Sequence, residues 1–413
     1  MKTDTIVLGA GIVGTSIALH LAQRGRSVAL VDRRGPGEET SYGNAGLVER
    51  ASVYPVAFPR KLSALIDVAL GRNPGANYHW NALPGLVPWM FAYWRASAPA
   101  RILDYASAIE TLLSRSLYEH ERLAQASGAQ HFFREGGWLK LYRTAAGLDN
   151  ERSEFPLARH YGLTAREIQV DEALELEPFL RPVFTGAVLW SDPHSVSNPG
   201  GVTQAYAAHF AGLGGRVLKG DARTLTRLGS GWLVTTEEGS VEAPEVVVAL
   251  GPWAMDLLRP FGIRLPLQVK RGYHMHYRAE GNAGLSRPVL DEEGGYVITP
   301  MVGGIRLTTG VEFARRDAPK SPVQLDKTEV LARGLFPLGA RAEAEPWMGS
   351  RPAFPDMLPA IGPAPGQKGM WLAIGHQHLG FTLGPVTGRL LAEMMSGDEP
   401  CADPAPFSPD RFG

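Results

Sequence analysis

Apolar residues fall into three kinds of run along this chain. The first kind is short, unbroken and rich in β-branched residues. Residues 5–8, 27–31, 246–250 and 370–374 have this form, and they end at Gly9, Asp32, Gly251 and Gly375. Such runs suit strands buried on both faces of a parallel sheet. The second kind repeats every three or four residues. It predicts helices over residues 15–24, 102–126 and 385–395, with Leu112, Leu113, Leu117 and Leu123 marking the apolar face of the middle one. Asn198 followed by Pro199 adds a helix start, an N-cap with proline at the first helical position. The third kind alternates apolar with polar. Trp138-Leu139-Lys140-Leu141-Tyr142 and the stretch 264–312 read as antiparallel strands.

Parallel-type material thus stands at the start, middle and end of the chain, with antiparallel material between. The economical arrangement is α/β (α+β overall): one nucleotide-type domain assembled from residues 1–50, 192–262 and 350–413, and an inserted antiparallel-sheet domain from residues 51–191 and 263–349. The proline-rich tail is expected to be irregular.

The first unit carries chemistry. Gly9-Ala10-Gly11-Ile12-Val13-Gly14 joins strand to helix, and a second strand ends at Asp32 and Arg33. Gly9 allows the tight turn, Gly11 lets a pyrophosphate approach the main chain, and Gly14 lets the helix pack close to the strand. The helix N-terminus beginning near Ile12 offers free N–H groups to phosphate. Asp32 stands where an acid takes the hydroxyls of an adenosine ribose. This is a dinucleotide site, with FAD and NAD both open at this point. The segment 39–47 is rich in small residues, and Ser41, Asn44, Ala45 and Gly46 suit close approach to a flat ligand.

Composition narrows the picture. With 413 residues and 44% hydrophobic content the chain can bury a large core. A net charge of −1 gives no basic surplus for nucleic acid. A single cysteine, Cys401, rules out an internal disulfide, a cysteine metal site and a CxxC redox pair. No signal peptide or membrane span is legible, so a cytoplasmic location is expected. Residues 51–96 are crowded with proline and aromatics, including Tyr54, Trp80, Trp89, Tyr93 and Trp94. Ordinary packing is one reading; a substrate entrance or a membrane contact is the other. His376 and His378 are spaced like a metal pair, but no third ligand stands out, so no metal is expected.

Five motifs in order resemble one family. They are Gly9-x-Gly11-x-x-Gly14 with Asp32; Ser41 with Asn44-Ala45-Gly46; Gly251-Pro252-Trp253; Trp347 with Arg351-Pro352, Asp356, Pro359 and Ile361-Gly362; and Gly375-His376-x-His378-Leu379-Gly380. Together they resemble the FAD-dependent D-amino-acid oxidase superfamily, and within it the bacterial D-amino-acid dehydrogenases, over essentially the whole chain. The resemblance implies FAD, a glutathione-reductase-like nucleotide domain and oxidation of an amino acid at its Cα–N bond. A helix opening at Gly380, Phe381 and Thr382 would stabilise negative charge on a reduced flavin, which favours FAD over NAD. Cys401 lies beyond that helix, so the FAD is expected to be non-covalent.

The resemblance also implies that Arg351 holds the substrate carboxylate, for which a guanidinium is well shaped. Tyr273 and Tyr296 are candidates to orient carboxylate or amine, and His378 to bind substrate or assist proton removal. Arg306 is either a second anchor or, more simply, a charge at a sheet edge. The expected reaction is oxidative deamination of a D-amino acid, cyclic ones such as D-proline or 4-hydroxy-D-proline included, with a quinone or another carrier as electron acceptor. A peripheral contact with the inner face of a membrane through residues 89–94 would serve a quinone. The alternatives are a glycine or sarcosine type oxidase on the same fold, or a flavoprotein subunit of a multi-chain dehydrogenase.

Overall fold

A computed structural model describes residues 1–60 and 74–413. The four unbroken apolar runs become neighbours in one six-stranded sheet. Its order is Arg216–Lys219, Val28–Asp32, Thr5–Leu8, Glu245–Val248, Met370–Ile374 and Ala360–Pro363, parallel except for the last strand. Thr5–Leu8 is fully buried, as its lack of alternation requires. A three-stranded meander, Thr226–Leu228, Gly231–Thr236 and Gly239–Ala243, packs on one face of this sheet around Trp232.

The first helix, Ile12–Gln23, starts three residues earlier than its apolar spacing suggests, directly after Gly11. It lies against the last helix, Gly380–Ser396. Glycines set their closeness: a Cβ at Gly388 would stand 2.6 Å from the carbonyl carbon of Ser16, and one at Gly384 2.9 Å from Ile12. The last helix was expected to open at Pro385, yet Pro385 lies inside it. Proline leaves the carbonyl of the residue four before it without a helical donor. Here that carbonyl is Phe381 O, and it accepts from His120 Nε2 at 2.8 Å. His120 comes from the long helix Pro99–Ser127, is buried, and stacks on the Phe381 ring at 5.1 Å. A proline in the wrong place is made tolerable by a histidine some 260 residues away in sequence.

The alternating segments form an eleven-stranded, mostly antiparallel sheet built around the strand Gln268–Ala279. Its register runs His274, Thr308, Val297, Leu290, Lys140, Val188 from strand to strand. One face of this sheet, with Tyr273, Tyr277, Ile298 and Leu307, packs on the helix Val323–Leu335. The tail is more ordered than expected. It makes two short 3₁₀ turns, buries Phe407 fully, and ties Arg411 to Asp356 at 2.7 Å.

Candidate active site

A cavity of about 1210 Å³ runs from the first glycine turn to the start of the last helix and on to the eleven-stranded sheet. It is larger than the usual pocket for one small molecule, which holds roughly 300–1,000 Å³. Two helix N-termini, those of Ile12–Gln23 and Gly380–Ser396, border it, and neither is capped by the side chain of its own N-cap residue. Each presents N–H groups and a partial positive charge to whatever the cavity holds.

The first end is built from main chain. Gly9 has φ +104°, and a Cβ at Gly14 would lie 1.9 Å from the Gly9 carbonyl oxygen, so neither position admits a side chain. Asp32 accepts from the N–H of Ala10 at 2.7 Å and of Arg34 at 2.9 Å, which fixes the turn before any ligand arrives. Arg33 lies 4.3 Å over the Trp253 ring and pairs with Glu39 at 2.8 Å. Ser41 Oγ accepts from the N–H of Ile12 at 2.9 Å. Asn44 Oδ1 accepts from the N–H of Gly46 at 2.7 Å, and Thr299 donates to the carbonyl of Ala45 at 2.7 Å. Gly251 lines the cavity opposite this loop with φ +52°.

Arg306 corrects the expectation of a sheet-edge charge. It is 3% exposed and donates to the carbonyls of Tyr42 at 2.8 Å and Asn44 at 2.6 Å. Its Nε–H donates to His276 Nε2 at 3.0 Å, and His276 Nδ1 meets Glu343 at 2.5 Å. The eleven-stranded sheet thus clamps the loop that holds Tyr42 and Asn44 through one guanidinium.

At the far end, the Gly375–Gly380 turn brings both histidines to the cavity. His376 is buried against Thr387 Oγ1 at 3.1 Å, and burial pushes its pKa down to about 3. His378 is half-buried. Burial, with Arg351 and Lys270 nearby, pushes its pKa down to about 3 as well, so it is a neutral imidazole at physiological pH. Phe381 stacks in the core, leaving its main chain for the site, and Thr382 Oγ1 accepts from the N–H of Glu49 at 2.9 Å.

Arg351 lies beside His378 in this wall. Its strand, Trp347–Ala353, pairs with Gln268–Ala279, and its guanidinium donates to the carbonyls of Gly310 at 2.8 Å and Thr309 at 3.2 Å. A Cβ at residue 272 would stand 2.7 Å from the guanidinium, so Gly272 is what lets it lie flat on the sheet. Among the described residues no carboxylate pairs with it. Burial lowers its pKa to about 10, the mark of a cation without a counter-charge.

Tyr273 and Tyr296 border the same cavity as Arg351, but their hydroxyls do not turn toward it. Alternation along each strand turns both rings to the opposite face, into the cluster that packs on Val323–Leu335. The Tyr273 hydroxyl donates to Glu312 at 3.1 Å and accepts from Arg271 at 2.9 Å. The Tyr296 hydroxyl is buried beside Asp291 and Arg143. Both readings as substrate-orienting hydroxyls are withdrawn on this geometry.

The cavity also exposes groups that sequence reasoning missed. Lys270, directly across from Arg351, is 5% exposed. Glu49, Glu154 and Glu292 line the wall near Lys140, which pairs with Glu151 at 3.1 Å. Burial raises the pKa of all three carboxyls, that of Glu154 to about 7. The available signal was a charged residue at an inward position of an alternating strand, as at Lys140 and Lys270.

A family model described as FAD dependent oxidoreductase (DAO) matches residues 4–394. The chain belongs to that family. A D-amino-acid oxidase from Bradyrhizobium diazoefficiens is 30% identical over 98% of each chain. A D-amino acid dehydrogenase from Dechloromonas aromatica is 32% identical over 96% of this chain and 97% of its own. Among solved structures, glycine oxidase from Geobacillus kaustophilus superposes with a TM-score of 0.75 at 25% identity, covering 98% of both chains. The protein is therefore an FAD-dependent oxidoreductase. Its walls fit that cofactor: a glycine cradle closed to side chains, two helix starts and a cavity long enough for a dinucleotide with room beyond. Cys401 is not among the residues lining it. No helix among the described residues is long and apolar enough to cross a membrane, and none of their histidine, cysteine and carboxylate groups form a metal cluster.

Proposed function

We propose that this chain oxidises a D-amino acid to its imine, which hydrolyses to a keto acid and ammonia. The observation that carries the reading is Arg351: a half-buried guanidinium in the cavity wall, with no acid to neutralise it among the described residues. A carboxylate ligand supplies the missing charge in the geometry a guanidinium prefers.

FAD would rest on Gly9, Gly11 and Gly14, with Asp32 and the loop of Ser41, Asn44, Ala45 and Gly46 at one end and the Gly380 helix start at the other. Bound there non-covalently, FAD supplies the acceptor for the hydride that leaves the substrate Cα. The chain's own residues do the placing. Arg351 fixes the carboxylate, so the orientation of Cα is set before reaction. His378, neutral and beside Arg351, accepts a hydrogen bond from the amine without holding a competing proton. Tyr93, buried and lining the cavity beside Lys270, helps keep water from the reacting carbon.

The electron acceptor we favour is a quinone or other carrier. The outward side of the helix Leu83–Ala96 supports a peripheral membrane contact: Phe91 is 58% exposed, stacks on Trp94, and has exposed Trp80 and Val87 on the same stretch. Flotation with liposomes tests this, and protein left wholly in the soluble fraction would end it. A glycine oxidase reading on the same fold predicts peroxide on turnover. The primary test is anaerobic flavin bleaching by a panel of D-amino acids, cyclic ones included. R351A should keep its flavin and lose roughly 10²–10³-fold in kcat/KM, the loss typical for removing one partner of a desolvated charge pair. Unchanged turnover would remove Arg351 from the site.

A further inference from the structure

We infer that Lys270 and Arg351 form a paired anion site, and that the preferred substrate is an amino dicarboxylate with a short spacer between its two acids. This rests on the amino-acid reading above and narrows it.

Lys270 and Arg351 are register partners on adjacent antiparallel strands. Directly opposed residues have Cβ atoms about 4.5–5.5 Å apart on the same face. Both side chains border the cavity. Lys270 is 5% exposed, and among the described residues its ammonium lies over aromatic rings, Tyr93 at 4.0 Å and Trp89 at 5.6 Å from the ring centres. No carboxylate among the described residues pairs with it. Among the described residues the hydrogen-bond partners of Arg351 are two carbonyl oxygens. Two other enclosed cations are neutralised by carboxylates, Arg271 by Glu312 at 2.8 Å and Lys140 by Glu151 at 3.1 Å, whereas Arg306 spends its donors on two carbonyls and His276.

Two cations side by side, one buried and one half-buried, are costly unless a ligand brings matching charge. An amino acid with its amine deprotonated for reaction brings one negative charge and leaves the pair at +1 in an aromatic box. A second carboxylate brings the pair to neutrality. Aspartate and glutamate, with one or two methylenes before the second acid, are the short amino acids that bring it.

The groups facing Lys270 are Arg351, His378, Tyr93 and Trp89, none of them anionic at neutral pH. Burial and Arg351 push the Lys270 ammonium down to about 7 in the free protein, and a bound anion pulls it back up. Affinity for the second carboxylate is therefore strongest below pH 7. Above that it falls by up to about tenfold per pH unit.

The test uses the FAD-loaded protein. Anaerobic flavin reduction is compared for D-glutamate against D-glutamine and for D-aspartate against D-asparagine, pairs matched in shape. The acidic member should lead by about tenfold or more in kcat/KM. K270M should erase that ratio and K270R should keep it. In parallel, the visible flavin spectrum is titrated with glutarate and with butyrate, which are not oxidised. Glutarate should bind the more tightly at pH 6.5 and lose its advantage by pH 8.5, and K270M should remove the advantage at both. Equal affinity of the two acids for the wild-type protein overturns the inference, as does a K270M loss of the same size for both. If D-alanine and the neutral amides bleach the flavin and the acidic substrates are no better, the amino-acid reading stands and the paired site falls. If no amino acid bleaches it but glutarate keeps a Lys270-dependent preference, the paired site stands and the amino-acid reading falls.

Discussion

The two ends of the cavity are made of different material. At the nucleotide end the walls are main chain, shaped by glycines and held by hydrogen bonds from main-chain N–H groups to Asp32, Ser41 and Asn44. At the end proposed for substrate the walls are long side chains, Arg351, Lys270 and Lys140, projecting from strands whose alternation decides which of them face inward. A main-chain site is the same for every member of a family that binds one cofactor. A side-chain site can be rewritten one residue at a time without disturbing the sheet. The contrast predicts that substitutions at the first end abolish cofactor binding, while those at the second retune activity.

The sharpest way to break that contrast is Gly14. A valine there puts its Cβ 1.9 Å from the Gly9 carbonyl oxygen, and backbone cannot move aside cheaply. G14V should purify colourless, with flavin content near zero by absorbance. A yellow G14V protein would mean that the first helix can shift away from its strand, against its packing on the last helix. Next in size is Gly272, the glycine of the substrate end. G272A places a Cβ 2.7 Å from the Arg351 guanidinium, which must tilt to admit it. The expected outcome is full flavin content with KM raised on the order of tenfold, read by steady-state kinetics.

Arg306 sharpens the comparison because it belongs to both ends. It stands on the substrate-side sheet but spends its donors on the carbonyls of Tyr42 and Asn44. R306M leaves those two carbonyls without their buried donor, at about 1–3 kcal/mol. FAD should dissociate roughly tenfold more readily, measured by flavin fluorescence on dilution, with a smaller change in KM. A change in KM alone would place Arg306 with the substrate instead.

The same difference in material explains what could be read from the chain. Gly9, Gly11, Gly14 and Asp32 are legible because their roles are local: a turn, a helix start and an acid at fixed spacing within one βαβ unit. The six-stranded sheet is legible because strands buried on both faces must be unbroken apolar runs. Tyr273 and Tyr296 were misread because period-two alternation fixes that neighbours point apart, but not which face meets the cavity. Once Lys270 and Gly272 face inward, Tyr273 must face out. Arg306 was misread because burial of a guanidinium depends on carbonyls 262 and 264 residues away in the chain. Pro385 was read as a helix start because its rescue by His120 is a long-range contact with no local trace.

The smallest expected effect lies with the carboxyls. Burial, and the charges of Glu151 and Glu292, raise the Glu154 pKa from 4.5 to about 7, against the pull of Lys140. A carboxyl with a raised folded-state pKa binds its proton more tightly in the folded protein than in the unfolded chain. The stability linked to that proton is intact below the usual carboxylate range and is lost as pH rises through about 7. E154Q stays neutral throughout, so it should match wild type at pH 5 and exceed it at pH 8. The full shift corresponds to roughly 3 kcal/mol, and relaxation around a half-buried group reduces this to about 1–2 kcal/mol. Thermal unfolding of the FAD-loaded protein at the two pH values reads it as a gain of ~1–4 °C at pH 8 only. An equal gain at both values would assign the effect to packing. No gain at pH 8 would mean that Lys140 already neutralises Glu154, and that the acidic wall carries its charge at physiological pH.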